Sequence, residues 1–176
     1  MRMSSAQPPL ATAFLLLAVA ALSLAGCGFQ PRGHTSATAG IPSPITIRGI
    51  AEFSDLYREL ARQLKIAGVE PAPPGTRDVP ALYISDTKAD RRLLSVNSRN
   101  KAVEFELIEN ATFAMRSADG RQLVAPQTLK VIRIQYRPEI AVLGSNREAE
   151  LLRMDMLEEL AGRIIQRLAA QYAAAE

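Results

Sequence analysis

Two long runs of period-two alternation joined by a four-residue turn constrain this chain more than any other feature. From Val103 to Arg116, Val103, Phe105, Leu107, Ala111, Phe113 and Met115 share one parity, while Glu104, Glu106, Asn110, Thr112 and Arg116 take the other. Side chains alternate faces along a strand, so one face of this segment belongs to a core and the other is wet. Only Glu109 breaks the apolar parity. Ser117-Ala118-Asp119-Gly120 is a turn in which glycine supplies a positive φ, and the next strand, Leu123 to Tyr136, returns antiparallel as a hairpin. Along that strand the apolar parity switches from Leu129 and Val131 to Ile132, Ile134 and Tyr136. One extra residue restores an inward face after such a switch, so the pattern predicts a β-bulge near Val131 and Ile132.

The flanking segments supply helices. Ile45 to Ile50 alternates as a short first strand. From Phe53 the period changes: Phe53, Leu56, Tyr57, Leu60, Leu64 and Ala67 recur at three and four, Ser54 or Asp55 stands where a cap belongs, and Gly68 where a helix ends. Pro71-Ala72-Pro73-Pro74-Gly75 continues neither element and marks an exposed connection. Ala81 to Val96 is a strand interrupted by the polar run Asp86 to Arg92, whose middle is expected to bend into solvent. Arg137-Pro138 ends the hairpin, and Ile140 to Gly144 crosses to the last element. Ser145 followed by Glu148 has the spacing of a capping box. Leu152, Met156, Leu157, Leu160, Ala161, Ile164, Leu168 and Tyr172 then form a helical stripe, opposite a solvated side of Glu150, Arg153, Glu159, Arg163, Gln166 and Arg167. The expected fold is α+β: two helices packed on one face of a four-stranded, mostly antiparallel sheet, a two-layer sandwich. The other sheet face is left without cover and must meet solvent or a partner.

The N-terminus carries an address. Leu10 to Leu24 is almost uninterruptedly apolar, with Arg2 the only charge ahead of it, and the run is too short for a membrane-spanning helix with its usual flanks. It ends in Leu24-Ala25-Gly26-Cys27, which resembles the bacterial lipobox. Residues 1–26 are then a removed lipoprotein signal peptide, and Cys27 carries a diacylglycerol and a further acyl chain such as palmitate. Gly28 follows the cysteine, not the aspartate of an inner-membrane retention signal, which favours the outer membrane's periplasmic leaflet. Residues 27–44 are the lipidated N-terminus and a Gly-, Pro-, Ser- and Thr-rich tether, and 45–176 are a single domain.

Composition removes several function classes. The net charge is +3 and tryptophan is absent, a poor match to a nucleic-acid binder. Cys27 is the only cysteine and His34 the only histidine, so a His-based triad or a His/Cys metal cluster has no parts. A G-x-S-x-G motif is also missing, and no convincing catalytic pair presents itself. No cofactor is expected beyond the covalent lipid.

An ordered set of segments resembles the LPS-assembly lipoprotein LptE family: Cys27-Gly28-Phe29-Gln30-Pro31-Arg32-Gly33, Gly68-Val69-Glu70, Asp78-Val79-Pro80-Ala81-Leu82, Glu104-Phe105 leading into Asn110-Ala111-Thr112-Phe113, and Glu150-Leu151-Leu152-Arg153-Met154. The resemblance implies a non-enzymatic plug seated one-to-one within the large outer-membrane β-barrel LptD. Such a plug helps the barrel assemble and takes part in delivering lipopolysaccharide to the outer leaflet. Lipopolysaccharide presents phosphates and acidic sugars, for which clustered Arg or Lys is the matching chemistry. The richest cluster is Arg91, Arg92, Arg99 and Lys101, with a solvated basic loop as its bland alternative. The family pattern has a basic residue in the crossover before the last helix; this chain has Gly144 there and Arg147 three positions on. The alternative function is a lipid-anchored periplasmic carrier holding a small amphiphile in an apolar cavity between helices and sheet.

Overall fold

The structure, a computed structural model, describes residues 40–137 and 142–174. The signal peptide, Cys27, most of the tether and the crossover at Ile140 lie outside the described residues. The elements in chain order are β1 (Thr46–Arg48), α1 (Asp55–Ile66), β2 (Ala81–Val96), β3 (Ala102–Arg116), β4 (Gln122–Tyr136) and α2 (Val142–Ala173). They build one mixed sheet of order β1-β2-β3-β4, in which β1 runs parallel to β2 and the other neighbours are antiparallel. The parallel pair is joined through α1, as parallel neighbours require a crossover.

Helix α1 starts where its sequence says it should. The Ser54 hydroxyl accepts a hydrogen bond from the Tyr57 N–H at 3.2 Å, and Gly68 takes a φ of 77° just past the end. Phe53, counted from its spacing as part of the apolar stripe, is instead 88% exposed, because it precedes the cap and stands outside the helix. Leu56, Leu60 and Leu64 meet Leu157, Leu160, Ile164 and Leu168 of α2 over Leu82, Ile84, Phe113 and Met115 of the sheet. Ile41, within the stretch expected to be tether, is also buried in this core.

Three further expectations are corrected. The polar run of β2 does not leave the sheet: the strand continues from Ala81 to Val96, and the irregularity is a register shift between Ser85 and Lys88, with Asp86 at a φ of 49°. The bulge expected near Val131 and Ile132 is absent, and the β3–β4 register runs unbroken from Glu104↔Tyr136 to Phe113↔Gln127. The register shifts lie instead between Phe113 and Arg116, opposite the segment containing Pro126, whose missing N–H suits an irregular edge. The last helix begins at Val142, ahead of Ser145, so Gly144 lies inside it and the capping-box spacing does not mark its start.

Phe113 is fully buried, whereas Ile134 is 66% exposed. Phe113→Ala is therefore expected to cost about 3–5 kcal/mol of unfolding free energy, and Ile134→Ala to stay within about 0.5 kcal/mol of wild type. Urea titration followed by circular dichroism measures both.

Candidate interaction surface

The two helices cover the odd-parity face of β3 and β4, and the even-parity face is open. In-register neighbours place Lys88, Asp90 and Arg92 of β2 beside Asn110, Ile108 and Glu106 of β3 on this open face. On the other flank of β3, Glu104, Glu106, Ile108, Asn110 and Thr112 lie opposite Tyr136, Ile134, Ile132, Lys130 and Thr128. The Thr112 and Thr128 hydroxyls are 2.7 Å apart, Arg92 approaches Glu106 at 3.4 Å, and the Ser95 hydroxyl donates to Glu104 at 2.6 Å. Polar contacts thus stand at both ends of the open face, and Ile132, Ile134 and Tyr136 are 39%, 66% and 58% exposed along β4, the last two beside Glu106 and Glu104. The parity switch that suggested a bulge is a change of face: β4 sends apolar side chains inward at Leu129 and Val131, then outward at the next three even positions.

The basic residues singled out in the sequence are not one patch. Arg91 and Arg92 are consecutive in a strand and point to opposite faces. Arg91 turns to the helix-bearing side, where its guanidinium stacks 3.5 Å from the Phe105 ring centroid, and Arg92 pairs with Glu106 on the open side. Arg99 and Lys101 sit in the β2–β3 turn, shaped by the Asn97 side-chain oxygen, which accepts from their N–H groups at 2.9 and 3.0 Å. Arg92 is opposite Glu106 and the turn begins beyond Ala102, so the two groups lie roughly 13 Å apart along the strand. Arg147 is exposed on α2 and pairs with Glu150 at 3.4 Å.

The break in β3 parity has a partner. Glu109 is buried beneath α2, and Arg153 reaches it at 3.1 Å while also reaching Asp55 of α1 at 3.3 Å. Arg153, assigned by the helical wheel to the solvated side, instead ties three elements together. Burial pushes the Glu109 carboxyl above the ordinary carboxylate range, and the Arg153 charge and hydrogen bond oppose that shift. Two further ties hold α2 over β4, Arg133 to Glu159 and Gln127 to Gln171, and Arg62 of α1 pairs with Glu158 of α2 at 2.7 Å. Beside the Arg153 network lie open clefts of about 400 and 250 Å³. Charged Asp55, Lys88, Glu109 and Arg153 share the lining of the larger with Leu56, Leu157 and Leu160, unlike the apolar cavity that a carrier would require.

A family model described as LptE, Lipopolysaccharide-assembly, matches residues 44–168. This chain belongs to the LptE family. It is 30% identical over 154 residues to the LPS-assembly lipoprotein LptE of Photorhabdus laumondii, covering 88% of this chain and 83% of that one. Against the protein of the same name from Yersinia pestis strain Pestoides F the identity is 30% over 165 residues, with 91% and 76% covered. In fold it resembles the crystal structure of rare lipoprotein B from Shewanella oneidensis, with a TM-score of 0.65 at 24% identity over 75% of this chain and 98% of that one. The solution structure of an uncharacterized lipoprotein B from Nitrosomonas europaea gives a TM-score of 0.66 at 19% identity over 84% and 94%.

For this LptE-family chain, sequence reasoning missed two features of the site. Ile132, Ile134 and Tyr136 carried their signal in the parity switch, which is read correctly only once the register is known. The Glu109–Arg153 pair carried half of its signal, since an acid on an apolar parity needs a cation somewhere, but their separation in sequence hides which one.

A carboxyl whose folded pKa is raised contributes stability that is full below its unfolded pKa and is lost as pH rises through the folded value. Glu109→Gln removes that loss, so its stability relative to wild type should increase from about pH 4 to pH 7; denaturant midpoints at the two pH values check the sign. Arg153→Ala leaves the buried carboxylate uncompensated and should cost about 1–2 kcal/mol at pH 7, less than for a fully buried pair because Arg153 is half exposed.

Proposed function

We propose that this LptE-family chain is a non-enzymatic, lipid-anchored protein of the outer membrane. It seats its domain within the lumen of the β-barrel LptD in a one-to-one complex, helps the barrel assemble, and takes part in moving lipopolysaccharide to the outer leaflet. The observation that carries the reading is family membership across nearly all of the folded domain. One feature of the structure and one of the sequence agree with it. The open sheet face mixes charged and hydroxyl side chains with a few aliphatic ones, a surface suited to the polar interior of a barrel. Leu24-Ala25-Gly26-Cys27 resembles a lipobox, and acylation of Cys27 would hold the domain at the membrane where such a barrel is found.

Lipopolysaccharide contact is assigned to the exposed tip formed by Arg99 and Lys101. Arg91, Arg92 and Arg147 lie apart from one another, on opposite faces of β2 and on α2, and are secondary contacts for phosphate. Extraction of the outer membrane in mild detergent, followed by purification through a C-terminal tag on this chain at native expression level, should recover one large β-barrel protein in equal amount. Recovery of the lipoprotein alone, under conditions that keep other outer-membrane complexes intact, would reject the plug. The double substitution Arg99→Asp, Lys101→Asp should lower lipopolysaccharide affinity by about thirtyfold, since each reversed contact near the surface is worth about 1 kcal/mol and the two together about 2 kcal/mol. The fold should persist, because Asn97 holds the turn through backbone N–H groups. Unchanged affinity would remove the tip from the site.

A further inference from the structure

The sheet has two edges beyond β1, and they differ in kind. Among the described residues β1 pairs only with Ala81, Leu82 and Tyr83, so the rest of β2 is an edge and the outer side of β4 is the other. That edge carries the devices by which strands avoid further pairing: Asp86 in a left-handed conformation, register shifts near both ends, and the charged run of Lys88, Asp90, Arg91 and Arg92. On β4 such devices, Pro126 and the register shifts beside it, are confined to the start of the strand. From Gln127 to Tyr136 its register is unbroken, and no proline or glycine interrupts it.

The direction of its free groups follows from one hydrogen bond. The Arg137 N–H donates to the Val103 carbonyl at 2.7 Å, which makes 103 and 137 a hydrogen-bonded pair. Such pairs alternate in an antiparallel ladder. Odd residues of β4 therefore turn their N–H and C=O groups toward β3, and Thr128, Lys130, Ile132, Ile134 and Tyr136 turn theirs outward. The same five residues project onto the open face, with Ile132, Ile134 and Tyr136 exposed there. Backbone groups and apolar side chains are thus offered together along one line, as strand addition requires.

We infer that the β4 edge, from Thr128 to Tyr136, pairs with an extended segment of the partner barrel, one that alternates apolar and acidic residues. The inference rests on the barrel reading above and adds where and how the partner is held. Charge selects the occupant. Lys130 stands exposed on the open face and no acid lies between Gln122 and Arg137, so two copies of β4 paired about Lys130 would bring cation against cation. An acidic strand meets Lys130 on the open face and places its apolar residues beside Ile132, Ile134 and Tyr136.

The test is amide hydrogen exchange on the full chain, alone and co-purified with the barrel in one detergent. In the complex the amides of Thr128, Lys130, Ile132, Ile134 and Tyr136 should slow at least a hundredfold, while those of Val131, Arg133 and Gln135 are slow in both samples. Ile134→Pro removes an outward N–H without touching the β3 ladder; it should keep the protection of the odd amides and lower barrel recovery at least tenfold. Lys130→Glu, at an exposed side chain, should also lower recovery. A barrel that co-purifies while the five outward amides exchange as in the isolated chain overturns the edge pairing and leaves the plug standing. Absence of the barrel overturns both. Outward amides that slow in the isolated chain as its concentration rises overturn the inference in favour of a second copy.

Discussion

The structure depends on burying one face of β3 beneath two helices that meet above it. Ala111, Phe113 and Met115 sit on the central long strand, flanked by β2 and β4, and are sealed from above by leucines and isoleucines of α1 and α2. Every methylene removed from water there contributes roughly 0.8 kcal/mol, and the two-layer arrangement follows because each helix has one apolar stripe to spend on one sheet face. The consequence is asymmetry. A sheet with only two helices to cover it has a wet face, and in a member of the LptE family that face is available to a partner.

Charge adds a link between the helices and this core. Glu109 and Arg153 at 3.1 Å tie α2 to β3, and Asp55 extends the same arginine to α1. The buried carboxylate costs desolvation, so the network contributes registry more than stability. Arg133 with Glu159 and Gln127 with Gln171 repeat the arrangement along β4. Polar groups that look like defects in an apolar pattern are thus ties between the elements of the domain.

The distal part of the sheet answers to a different constraint. Beyond the reach of β1, three strands continue with β2 and β4 as edges. One edge is guarded by a left-handed aspartate and a charged run, while the other is regular, rich in β-branched residues and basic. Proteins that must avoid pairing guard both edges, and the difference between these two gives the open face a direction.

By itself the sequence determined the element order, the two-layer α+β class, the hairpin at Ser117–Gly120, a helix cap at Ser54 or Asp55 and the existence of an uncovered sheet face, because all of these follow from local periodicity and turn chemistry. The family was legible only as a resemblance carried by an ordered set of segments, which periodicity does not supply. Only the tertiary structure decided which face each residue of β4 occupies, since one slip in register exchanges the faces and the parity switch is compatible with either a bulge or a change of side. It likewise decided that Arg91 and Arg92 part to opposite faces, that Phe53 lies outside the helix and that Arg153 turns to Glu109. These are outcomes of register and of which charges meet across the core, and neither is written in the spacing of any one segment.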